Sequence, residues 1–107
     1  MFSRIVECYV RTERKEEFRE KIQNLVLPRL QSQPGFVDLL ALTSEDEPER
    51  MVAISLWKSR ADEERYHDTH YEEIVEAIRP FLRDEPSIEH YNLDASTAHR
   101  IAAGRAA

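Results

Sequence analysis

The chain has 107 residues, the size of one domain. Its 15 Lys and Arg against 21 Asp and Glu give a net charge of −6, which speaks against nucleic acid and an anionic membrane as partners, since both attract positive charge. The 2 glycines exclude a glycine-rich phosphate loop, and the lone Cys8 excludes an intrachain disulfide and a Cys-rich zinc centre.

No apolar run approaches the roughly 18 residues of a membrane-spanning helix. The start, Met1-Phe2-Ser3-Arg4, lacks the apolar core of a secretory signal. The expected compartment is a reducing cytoplasm. Any site must then be built from aromatic, His and carboxylate side chains.

Phe2 to Val10 alternates as a strand, with Val6, Cys8 and Val10 on one face and Ile5, Glu7 and Tyr9 on the other. Thr12 is the expected N-cap of a helix carrying Phe18, Ile22, Leu25, Val26 and Leu30 on one side. Pro28 lacks a backbone donor and should kink that helix near Asn24. Pro34-Gly35 stops it. Phe36 to Thr43 is a second strand, Ser44 to Glu49 a polar hairpin connection, and Met51 to Trp57 a third strand. The uniformly apolar Val52, Ile54 and Leu56 are expected to meet the helices. The mixed face of Met51, Ala53, Ser55 and Trp57 suits a cavity or an interface. Ser59 caps a short helix ending near His67, and Thr69 with Glu72 forms a capping box for the next, which buries Tyr71, Ile74, Val75, Ile78 and Leu82. After Pro86, Ser87 to Leu93 is the last strand. Residues 1–93 make the domain, and 94–107 form a weakly helical or disordered tail.

Strand, helix, strand, strand, helix pair, strand is an α+β order, the ferredoxin-like split β-α-β arrangement with a four-stranded antiparallel sheet. Helices on one side leave the other sheet face bare, and that face is expected to carry Trp57, Tyr9 and Phe36. A second copy could cover it, enclosing a space between two sheets.

Several short segments stand in a characteristic order: the first strand and helix, Pro34-Gly35-Phe36, Ser55-Leu56-Trp57-Lys58-Ser59, Pro80-Phe81-Leu82 and Pro86-Ser87-Ile88-Glu89-His90-Tyr91. In this the chain resembles the antibiotic biosynthesis monooxygenase domain family over about residues 2–93. The resemblance implies a homodimer closing as a dimeric α/β barrel, with one pocket per subunit. Such families include cofactor-free oxygenases of polycyclic phenols, quinol oxygenases and haem-degrading enzymes. Against the haem-degrading pattern, Glu7, Tyr66 and Glu76 stand where Asn, Trp and His are expected, which disfavours that activity. Against the polyphenol oxygenase pattern, Trp57 matches, whereas Ala53 and Glu63 replace an Asn and a Tyr.

A cofactor-free oxygenation needs a base, a flat apolar wall and a donor for the developing oxyanion, and no metal. His67, His70, Tyr66 and Glu7 are the catalytic candidates. Trp57, Tyr71, Tyr9, Ser55 and His90 are the candidates for substrate binding. Each has a structural alternative: Trp57 in a dimer seam, Tyr71 in the core, His90 in a fixed hydrogen bond, Glu7 in an ion pair. The expected partners are a small aromatic molecule and dioxygen. The competing readings are a non-enzymatic ligand-binding barrel and an isomerase or lyase using a His/Glu acid–base pair.

Overall fold

The computed structural model describes residues 1–101. Strands β1 (Phe2–Tyr9), β2 (Phe36–Thr43), β3 (Arg50–Trp57) and β4 (Ser87–Asn92) form one antiparallel sheet in the order β2-β3-β1-β4. Between β1 and β2 run α1 (Lys15–Lys21), a π turn (Ile22–Val26) and α2 (Leu27–Gln31). Between β3 and β4 run α3 (Arg60–Tyr66), a second π turn (His67–Tyr71) and α4 (Glu72–Ile78). The architecture is the expected α+β, ferredoxin-like one.

Local chemistry explains most boundaries. Pro28 has no N–H for the carbonyl of Asn24, and the chain answers with the π turn just before it, which is the form the expected kink takes. The Ser59 hydroxyl accepts from the Asp62 N–H at 3.2 Å and caps α3 as expected. Two other expected caps are absent. Thr12 begins a 3₁₀ turn (Thr12–Arg14) and directs its hydroxyl to Glu49 at 2.6 Å. Thr69 lies inside the second π turn of a helical stretch that never breaks between Arg60 and Ile78, so no N-terminus exists there to cap.

The register sets the two faces. Phe2 pairs with Trp57, Arg4 with Ser55, Val6 with Ala53 and Cys8 with Met51, and this phase faces the helices. Trp57 is 0% exposed and Phe36 packs beside it, so both lie in the helix-side core and not on the bare face. Val52, Ile54 and Leu56 belong to the opposite phase, with Ile5, Glu7 and Tyr9. Alternation in β3 separates two faces without saying which one meets the helices, and both faces here are apolar enough to pass for core.

The outer face is not wholly bare. The segment after β4 starts with the Leu93 N–H donating to the Met1 carbonyl and reaches across to β2, where His99 Nε2 meets Asp38 Oδ2 at 3.0 Å. Ser3 and Leu56 lie in the row between these points and are buried. Residues 94–101 carry no helix. The helical expectation for the remainder of the tail lies outside the described residues. Beyond this strap Leu40 and Leu42 stay 47% and 49% exposed.

Gly35 links the first helical layer to β2 at φ +80°, and its carbonyl accepts from the Lys58 N–H at 2.8 Å. A Cβ there would sit 2.2 Å from Asp62 Cγ, and Asp62 is itself held by Ser59 and Arg65. Gly35→Ala should therefore cost about 2 kcal/mol or more, from backbone strain plus overpacking, read as a lower urea midpoint. An unchanged midpoint would contradict this assignment.

Candidate active site

Across the helix-facing side of the sheet, Val6, Ala53 and Ala41 form one row, and Arg4, Ser55 and Leu39 the next. Small side chains at the centre of a sheet cannot fill the space beneath two helical layers. The result is a cavity of about 380 Å³ between sheet and helices. Its walls are mainly apolar, with Val6, Met51 and Ala53 from the sheet and Ile22, Val26 and Ile74 from the helices. Both π turns border it. Ile22, Gln23 and Val26 come from the first, and Tyr71 closes the second. Such turns widen a helix locally and recur at functional sites.

One wall is polar. Arg4, on β1, is 2% exposed and lines the cavity. Its Nη1 donates to Glu63 Oε2 at 2.6 Å and to His67 Nδ1 at 2.9 Å. Its guanidinium carbon lies 4.8 Å from the centre of the Tyr71 ring and 5.4 Å from that of Tyr66, within cation–π range. Glu63 is equally buried and also meets His90 Nε2 at 3.3 Å. The pair is thus desolvated but hydrogen-bonded, the condition under which buried charges are tolerated.

Tyr66 and Tyr71 line the cavity beside Arg4. Burial raises the pKa of both phenols above the ordinary range, with the Arg4 charge pulling the other way. Both therefore stay protonated near neutral pH and keep an O–H available to donate. Burial pushes the Cys8 thiol up to about 11, with a smaller push from Glu7, so this cavity-wall sulfur is a poor nucleophile.

The expected site residues divide between the two sides of this wall. Tyr66, Tyr71 and Ser55 line the cavity. Trp57 does not. Its indole N–H donates to Ser55 Oγ at 3.0 Å and its ring stacks on Tyr66 at 5.3 Å, so it props the cavity wall from behind. His67 and His90 border a separate cleft of about 100 Å³ with Glu63. Arginine can only donate, so the contact with Arg4 requires an unprotonated His67 Nδ1 and places the ring proton on Nε2. His67 also stacks on Tyr71 at 4.7 Å. His70 meets Arg29 Nη1 at 3.3 Å through its own Nδ1 and lies outside the cavity wall. Glu7 and Tyr9 are on the outer face: Glu7 pairs with Arg50 at 2.6 Å, and Tyr9 lies under Arg83.

Arg4 and Glu63 escaped the sequence reading. A signal existed, because Arg4 alternates in phase with Phe2, Val6, Cys8 and Val10, and a charge on an apolar face needs a buried counter-charge. No spacing rule pointed from Arg4 to Glu63, 59 positions away.

Among the described residues no cluster of three or more His, Cys, Asp or Glu side chains could hold a metal, and no helix is long and apolar enough to cross a membrane.

No curated protein matches the chain. Solved structures do. A protein from Nitrosomonas europaea named for an antibiotic biosynthesis monooxygenase is 24% identical, with TM-score 0.72 over 86% of this chain and 97% of its own. A variant of SnoaB, a cofactor-independent oxygenase from Streptomyces nogalater, is 18% identical, with TM-score 0.76 over 92% of this chain and 97% of its own. A conserved protein from Methanosarcina mazei is 22% identical, with TM-score 0.72 over 85% and 91%. At these identities the likeness is one of fold. The antibiotic biosynthesis monooxygenase family model matches residues 1–77, most of the sheet and both helical layers, and the chain belongs to that family.

Proposed function

We propose that the chain is a cofactor-independent monooxygenase that oxidises an electron-rich aromatic of phenol or quinol type with dioxygen. The observation that carries this reading is the apolar cavity with one polar wall, where the Arg4 guanidinium lies by the rings of Tyr66 and Tyr71 and all three residues line the space. Family membership supports monooxygenation in general, and the cavity supports an aromatic substrate.

A phenol seated with its oxygen on that wall meets a cation and two neutral donors. Together they favour the phenolate and stabilise negative charge as it develops. The phenolate ring carbon gives one electron to dioxygen, and the radical pair combines to a peroxide on carbon. Loss of water then leaves the quinone, so one phenol and one dioxygen become one quinone and one water. The described cavity lining holds no carboxylate and no imidazole, so the phenol proton leaves through solvent.

This same feature favours a second reading, a ligand-binding barrel without turnover, because no side-chain base faces the cavity. Oxygen consumption separates the two. With a panel of naphthols and quinols, the oxygenase reading expects uptake stoichiometric with quinone formation and none under anaerobiosis. Tyr66→Phe should lower the rate about 10- to 100-fold with little change in fold. Saturable binding with uptake at background would establish the binding protein instead.

The working unit on this reading is a homodimer. Ile5, Ile54, Val52, Leu40 and Leu42 form a contiguous apolar patch on the outer face, with Leu40 and Leu42 about half exposed. Such a patch on a small acidic domain calls for a partner, and a second sheet of the same kind fits it. Sedimentation should give twice the chain mass, and Leu40→Asp with Leu42→Asp should give a folded monomer. A monomeric wild-type chain at micromolar concentration would refute the dimer.

A further inference from the structure

Arg4 has more to offer than its protein partners take. A guanidinium carries five N–H donors. Nη1 serves Glu63 and His67, while Nε and Nη2 have no acceptor among the described residues. Nor is any buried side-chain nitrogen or oxygen there both sealed and unpartnered, so these donors open onto free space. Arg4 borders the large cavity and not the small cleft that holds His67, His90 and Glu63, so that space is the cavity.

The free Nε–Nη2 edge has the two parallel N–H groups that match the two oxygens of a carboxylate. Its position is held by Glu63 and His67 at Nη1 and by the rings of Tyr66 and Tyr71, over which its carbon sits. Such a preformed fork loses little entropy on binding. The cavity beyond it is apolar and of small-ligand size.

We propose that the cavity selects an aromatic carboxylic acid with a hydroxyl ortho to the carboxylate, the carboxylate bound side-on to the Nε–Nη2 edge of Arg4, the phenol oxygen beside it toward Tyr66 and Tyr71, and the ring in the apolar space beyond. The inference rests on the cavity being the substrate site. It sharpens the substrate from any phenol to a phenolic acid. Glu63 already balances the Arg4 charge, so the preference comes from directional N–H donation, and its expected size is about tenfold rather than thousands.

The test uses the full chain with an ortho-hydroxynaphthoate, its primary amide and the parent naphthol, followed by fluorescence titration and oxygen uptake. The acid should bind about tenfold or more tighter than the amide. In the Arg4→Met/Glu63→Leu double variant, which removes both charges, acid and amide should bind alike. Should that variant fail to fold, Arg4→Lys keeps the ion pair but loses the fork and should erase most of the preference.

Equal affinity for acid and amide in the wild type would overturn the proposal, as would a preference surviving in either variant. Should the amide and naphthol bind and be oxidised as well as the acid, the carboxylate site falls and the oxygenase reading stands. Should the acid bind selectively through Arg4 without oxygen uptake, the oxygenase reading falls and the carboxylate site stands. Failure of all three compounds to bind at millimolar concentration would sink both.

Discussion

The Arg4–Glu63 ion pair is the constraint on which the rest of the site depends. It joins the central strand β1 to the helix α3 at a point where both partners have almost no contact with water. Desolvating two charges costs several kcal/mol each, and only close hydrogen bonding offsets that. The structure supplies it through Nη1 to Glu63 and His67, with His90 as a further contact for the carboxylate. An apolar pair of similar volume would hold the layers together about as well. A buried charge at this position is therefore better explained by what it presents to the cavity than by stability.

The cavity has equally specific causes. Ala53 and Ala41 leave a gap in the helix-facing surface of the sheet, and the two π turns bow the helical layer above it. Ser55 and Tyr66 form the fixed end wall, with Trp57 behind them, its indole N–H on Ser55 and its ring stacked on Tyr66. The other sheet face is a different environment. Its apolar centre is crossed at one end by the segment from Leu93 to His99, which shelters Ser3 and Leu56 and leaves the Leu40 and Leu42 rows open. The sheet thus carries the cavity chiefly on one face and an exposed apolar patch on the other.

Much of the fold was legible in the sequence, because each strand alternates and Pro28, Pro34-Gly35 and Ser59 punctuate the helices by local chemistry. The facing of β3 was not legible. Val52, Ile54 and Leu56 look like helix-facing core but lie on the outer sheet face, and periodicity cannot tell inside from outside when both faces are apolar. Thr69 with Glu72 imitates a capping box in the middle of a helix. Tyr66, Tyr71 and Ser55, proposed by residue type, do line the cavity. His67, His70 and His90 were proposed for their titration range, yet none lines the cavity, because the fold ties them to Arg4, Arg29 and Glu63 respectively. That outcome depends on contacts 27 to 63 positions apart, which no local pattern encodes.

Whether Arg4 is held with one edge free depends on its grip at the other. The tautomer of His67 reports that grip, since an arginine N–H at Nδ1 leaves only the Nε2–H form. Two-bond proton–nitrogen NMR correlation of the histidine rings at neutral pH measures it. The account predicts a His67 with Nδ1 unprotonated and the proton on Nε2, lost in Arg4→Met. A His67 protonated at Nδ1, or one unaffected by that substitution, would contradict it.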